Sequence, residues 1–134
     1  MEKALIFQIS QAARKSEVSA KMIRHYEELG LIPKARRSPS GYRLYSEEDL
    51  HLLKFIKKSR DLGFSTAKIK ALLSLWRNRS RSSRDVKNLA LSHIQELEQK
   101  ITELQAMRDV LKKLADHCHG DQRPHCPILE ELSG

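Results

Sequence analysis

The sequence predicts a mainly α-helical chain. A winged helix-turn-helix module occupies residues 1–77, a linker 78–83, a long helix 84–116, and a loop with a closing turn 117–134. Three observations carry that prediction. Short apolar stripes at helical spacing recur through the first half, separated by turn residues. Between the second and third of them lies a basic stretch with aromatics that reads as a hairpin. From Ala90 to Leu111 a 4-3 apolar repeat then runs without a proline or glycine.

Residues 8–15 form the first predicted helix, with Ile9, Ala12 and Ala13 on one face, and Ser16-Glu17-Val18 breaks it. Ser19 stands at an N-cap position ahead of a second helix whose Met22, Ile23, Tyr26 and Leu29 recur at helical spacing before Gly30 stops it. Two short helices joined by a tight turn make a helix-turn-helix pattern. After Pro33, the run from Arg37 to Tyr45 reads as turn residues followed by a strand, a candidate wing. Ser46 is the predicted N-cap of a third helix, with Glu47, Glu48 and Asp49 in its first turn facing the positive end of the helix dipole. Leu50, Leu52, Leu53 and Ile56 form its stripe, Phe55 lies beside it, and the element ends near Gly63. Ser65 caps a fourth helix, where Ile69, Leu72, Leu73 and Trp76 share the side expected to join one small core.

The polar run Asn78–Ser83 is the predicted linker, ending in an N-cap at Ser82 or Ser83. Ala90, Ile94, Leu97, Ile101, Leu104 and Leu111 then keep 4-3 spacing, interrupted at Arg108, over a helix of roughly 30 residues and about 45 Å. Such a stripe needs a partner, and a second copy is the economical one, giving a coiled coil and a homodimer. Past His117 the residues Gly120, Pro124 and Pro127 force a loop, and Ile128, Leu129 and Leu132 suggest a short closing turn. Residues 1–7 carry no function that the sequence assigns.

Charge is divided unevenly. Residues 1–82 hold 18 Lys and Arg against 8 Asp and Glu, a net +10, whereas residues 83–134 hold 7 against 9, a net −2. Clustered cations in a chain of pI ≈ 9.7 are the footprint of a polyanion binder, because neutralised phosphates release condensed counterions. Membrane association ranks well below, since no apolar run of about 18 residues exists. Nor is there a signal-peptide pattern, so a cytoplasmic location is expected. At 134 residues, with no Gly-rich phosphate loop and no recognisable nucleophile or carboxylate constellation, an enzyme is not expected.

The run from Ile23 to Pro33, Ile-Arg-His-Tyr-Glu-Glu-Leu-Gly-Leu-Ile-Pro, and the run from Arg37 to Leu50 together resemble the N-terminal signature of MerR-family regulators. Phe55 to Ser65, with Arg60, Leu62 and Gly63, continue the resemblance, and the terminal Cys-x7-Cys-Pro-Ile is similar to the copper-responsive CueR/HmrR branch. The resemblance implies a winged-helix homodimer joined by an antiparallel coiled coil. It also implies an activator on a promoter with an overlong spacer, distorted by the metal-loaded form so that RNA polymerase engages both promoter elements. By the same resemblance the DNA contacts fall on Lys21, Arg24 and Tyr26 of the recognition helix and on Tyr42, Arg43 and Tyr45 of the wing, with Arg37 and Arg60 as further phosphate candidates. Arginine reads guanine edges or clamps phosphate, and tyrosine hydroxyls donate to phosphate oxygens, which agrees with those positions.

Cys118 and Cys126 are the only cysteines, and in a reducing compartment metal or redox chemistry is favoured over a permanent disulfide. Two thiolates on a bent loop can approach one closed-shell monovalent ion from opposite sides, which suits Cu(I), Ag(I) or Au(I), one ion per cysteine pair. The residues do not choose among the three. A divalent ion such as Zn(II) wants four ligands, and His117, His119 and His125 lie near enough in sequence to offer them. By the resemblance Ser83 stands where divalent-ion members place a cysteine from the partner subunit, which makes the site poorer for such ions. A thiol redox switch and a metal-scavenging protein without an operator are the other readings of the pair.

Overall fold

The computed structural model describes residues 5–134, so part of the leading segment 1–7 lies outside the described residues. The chain divides into two compact units, the first ending at Ser82 and the second spanning Ser83–Gly134. The first contains β1 (Ile6–Gln8), α1 (Ile9–Ser16), α2 (Ala20–Glu28), β2 (Arg36–Arg37), β3 (Arg43–Ser46), α3 (Glu47–Asp61) and α4 (Thr66–Arg77). The second contains α5 (Ser83–His117) and α6 (Pro127–Ser133). No described helix is long and apolar enough to cross a membrane.

Local chemistry fixes the helix ends. Ser19 accepts the Met22 N–H at 3.2 Å, Ser65 accepts the Lys68 N–H at 3.3 Å, and Ser46 exchanges bonds with Asp49 in a reciprocal box of 3.1 and 2.9 Å. Glycine stops two of them. Gly30 (φ +75°) lets the Leu31 N–H reach the Tyr26 carbonyl at 2.9 Å, and Gly63 (φ +88°) lets the Phe64 N–H reach the Ser59 carbonyl at 3.1 Å. Both are left-handed turns that a side chain at that position would strain. The first of them reverses the chain out of α2 and delivers the buried pair Leu31 and Ile32 to the core.

Helix α1 begins at Ile9 because Gln8 belongs to β1, a strand that periodicity over three residues does not reveal. The sheet order is β1-β3-β2, all antiparallel, with Phe7 opposite Tyr45 and Arg37 opposite Arg43. The wing therefore has a third strand tying it to the start of the chain. Ala12, Ile23, Leu53 and Ile56 are sealed at the centre of the core, with Tyr26, Leu31, Tyr45, Ile69 and Leu73 around them. Each leucine or isoleucine among them contributes on the order of 1.5–3 kcal/mol by leaving water. Trp76 departs from its expected place. It is 45% exposed and stacks flat on Phe55, ring centroids 4.7 Å apart, instead of entering the centre.

In the second unit α5 runs 35 residues, about 50 Å at 1.5 Å per residue. It is one residue longer at each end than the expected span 84–116. Ile94, Leu97, Ile101, Leu104 and Leu111 are all exposed, Leu104 at 62%. The closing turn is a true helix, α6, which folds back onto α5.

Candidate functional site

Two places on the chain bring chemistry-bearing residues together, one in each unit. In the first, α2 presents Lys21 and Arg24 on its solvent side. Across from them the wing is held by a turn in which the Ser38 N–H donates to the Tyr42 carbonyl at 2.8 Å and the Gly41 N–H to the Ser38 carbonyl at 2.9 Å. Arg37 spans that turn, its Nη1 donating to the Gly41 carbonyl at 2.9 Å, and Tyr42 stands 61% exposed at the tip. Between helix and wing, Arg24, Lys34, Arg37 and Arg43 line a shallow depression of about 320 Å³ together with Glu27 and Glu28. Four cations around one concavity attract a polyanion more strongly than the same charges dispersed.

Not every expected contact residue points outward. Tyr26 and Tyr45 are buried at 4% and 1% exposure. The Tyr26 hydroxyl accepts from Arg60 Nη1 at 2.9 Å, and the Tyr45 hydroxyl donates to Glu27 Oε2 at 3.2 Å. Burial, and after it the Glu27 carboxylate, pushes the Tyr45 phenol up to about 12. Both rings complete the core, so as placed they are not the surface donors expected from their position in the sequence; Tyr26 instead orients the exposed Arg60. Glu27 was not singled out by any sequence pattern, and neither was Arg36, exposed on β2.

The second place is the loop 118–126 between α5 and α6. Gly120 (φ +64°) bends it, and Asp121 clamps it by accepting the Arg123 backbone N–H at 2.9 Å and its Nε at 2.7 Å. That guanidinium holds the Asp121 carboxyl below the usual carboxylate range. The bend returns the chain so that the Cys118 and Cys126 sulfurs lie 3.8 Å apart, both half-buried and not joined in a disulfide. Cys126 precedes α6, with Pro127 as the first helical residue. The Leu129 N–H, and after it that of Ile128, lowers its thiol pKa, because amides aimed at a helix start favour thiolate.

Metal–sulfur bonds of about 2.3 Å allow two sulfurs on one ion to stand up to roughly 4.6 Å apart, so the pair is close enough to share an ion. Two of the three nearby histidines have their Nδ1 engaged, whereas His119 is exposed. His117 Nδ1 lies 2.7 Å from the Lys113 carbonyl on its own helix, and His125 Nδ1 lies 2.9 Å from Glu130 Oε1. Among the described residues no group of three or more Cys, His, Asp and Glu is disposed to hold one ion. Ser83 is the exposed first residue of α5.

A family model described as MerR HTH family regulatory protein matches residues 7–76, and one described as MerR, DNA binding matches residues 50–114. The chain belongs to the MerR family. It is a transcription regulator with a DNA-binding module, and not an enzyme. It is similar to the HTH-type transcriptional regulator HmrR of Sinorhizobium medicae, 58% identical over 93% of this chain and 85% of that one. With the HTH-type transcriptional regulator CueR of Salmonella typhimurium it shares 41% identity over 94% of this chain and 91% of the other. The fold is also similar to that of the transcription regulator PbrR691 from Ralstonia metallidurans CH34, solved in complex with lead(II). There the TM-score is 0.78 at 30% identity, over 94% of this chain and 98% of that one.

Proposed function

We propose that this chain is a cytoplasmic, homodimeric, metal-responsive activator of transcription whose signal is a soft monovalent ion, Cu(I), Ag(I) or Au(I), held by Cys118 and Cys126. The observation that carries this reading is the 3.8 Å sulfur pair. It offers two soft donors, with no third Cys, His, Asp or Glu grouped with them among the described residues, in a chain whose relatives are named HmrR and CueR. Relatives named as heavy metal-dependent regulators support the broader statement that a metal is the signal. Ser83 in place of a thiol at the start of α5 argues against a divalent ion, although the likeness to a lead(II)-bound regulator keeps that class as the comparison to make.

Lys21, Arg24, Arg37, Tyr42, Arg43 and Arg60 contact promoter DNA, most of them at phosphates that fix register, while Tyr26 and Tyr45 hold those groups in place from inside. The α5 stripe joins two copies in an antiparallel coiled coil, which sets the two basic modules on two half-sites. When Cys118 and Cys126 engage one ion, the loop is fixed to the ends of α5 and α6. The dimer then favours the state that untwists or bends the promoter for RNA polymerase. Such distortion costs on the order of a few kcal/mol; an ion that binds the two states with affinities differing a hundredfold supplies about 2.7 kcal/mol toward it.

Competition titration tests the ion. Reduced protein, titrated against a Cu(I) chelator and separately against a Zn(II) chelator, is expected to take one Cu(I) per cysteine pair and to lose Zn(II) first. Retention of Zn(II) in preference would refute the monovalent reading and move the search to His117, His119 and His125.

A further inference from the structure

Glu27 is the one acid in the cationic depression that reaches inward to the wing. Its side chain is 10% exposed, and it sits near the end of the recognition helix, among the residues that approach DNA. A carboxylate there opposes the polyanion that the surrounding Arg24, Lys34, Arg37 and Arg43 attract. Its bonds show what it does instead. Oε1 accepts the Ala35 N–H at 2.9 Å, from the residue that leads into β2. Oε2 accepts the Tyr45 hydroxyl at 3.2 Å and lies 3.5 Å from Arg43 Nε, both on β3. One side chain thus ties the residue before β2 and strand β3 to the recognition helix, over sequence separations of 8 and 18 residues. The Arg43 Nε is buried and makes no hydrogen bond of good geometry, so the Glu27 carboxylate at 3.5 Å is the charge that compensates it.

We infer that Glu27 is a positioning residue for DNA recognition: it locks recognition helix and wing into one body, giving sequence selectivity at some cost in non-specific affinity. The inference rests on the DNA-binding reading of the depression. Two simple roles make opposite predictions. If Glu27 were only a surface acid, its removal would strengthen binding to every duplex alike, since one repulsive charge is gone. If it positions the wing, specific affinity falls while non-specific affinity holds or rises.

The test uses the full chain, with a duplex enriched from a random pool by wild-type protein and a scrambled duplex of equal composition. For Glu27→Gln, which keeps shape and an acceptor oxygen, the ratio of specific to non-specific affinity is expected to fall at least about tenfold. Glu27→Asp, which restores the charge, is expected to recover part of it. Spectroscopic titration of the tyrosines reports the contact itself: the Tyr45 phenol, pushed up to about 12 in the wild type, moves down in Glu27→Gln. Equal strengthening on both duplexes, or an unmoved Tyr45 titration, would overturn the inference. A wild-type protein without preference for any duplex would overturn the DNA reading together with it, and is distinguished by failing before any variant is compared.

Discussion

Cys118→Ser is expected to weaken Cu(I) binding by at least about a thousandfold, roughly 4 kcal/mol, and to leave transcription from the target promoter unresponsive to the ion. A serine hydroxyl is a hard, neutral donor that stays protonated, so the substitution leaves a soft ion with the single thiolate of Cys126. Cys126→Ser should do the same, and it also removes the thiol that the amides after Pro127 favour as thiolate. Both side chains are half-buried on a loop and sit outside the core. Helix content and DNA binding by the apo protein should therefore be unchanged. Chelator competition with a far-ultraviolet spectrum on each variant checks both halves, and undiminished Cu(I) affinity in either variant would remove the pair as the site.

Ile101→Glu is expected to convert the dimer to monomer at micromolar protein. The side chain is exposed in the single chain, midway along α5, and in a two-fold assembly each substitution acts twice. Burial of one such isoleucine is worth about 1.5–3 kcal/mol. Placing a carboxylate in the seam adds its desolvation. The dissociation constant should rise at least about a thousandfold, roughly 4 kcal/mol, with a matching loss of DNA affinity as two half-sites cease to be engaged together. Gln99→Glu, on the opposite face of α5, is the control and should leave sedimentation equilibrium unaltered. If Ile101→Glu also leaves it unaltered, the stripe does not join two copies.

Much of the fold was legible because its signals are local. Ser19, Ser46 and Ser65 cap helices that their own sequence neighbours define, and Gly30 and Gly63 stop them through backbone conformations other residues avoid. What escaped notice depends on partners far away in sequence. Strand β1 is three residues long and exists because β3 lies beside it. Glu27 looks like any helix-surface acid until Ala35 and Tyr45 converge on it. Tyr26 and Tyr45 carry both an apolar ring and a polar tip, and the sequence does not say which end the fold will use. The cysteine spacing was legible too, whereas the approach of the two sulfurs to 3.8 Å required the Gly120 bend and the Asp121–Arg123 clamp.

The central claim is that the ion changes the shape of bound DNA more than its occupancy. Chemical footprinting of the target promoter at saturating protein, with and without Cu(I), tests it most directly. The account predicts the same protected half-sites in both lanes, with new hyperreactive bases at the operator centre only when Cu(I) is present and only with both cysteines intact. A promoter that Cu(I) merely fills or empties, with no change at its centre, would contradict it.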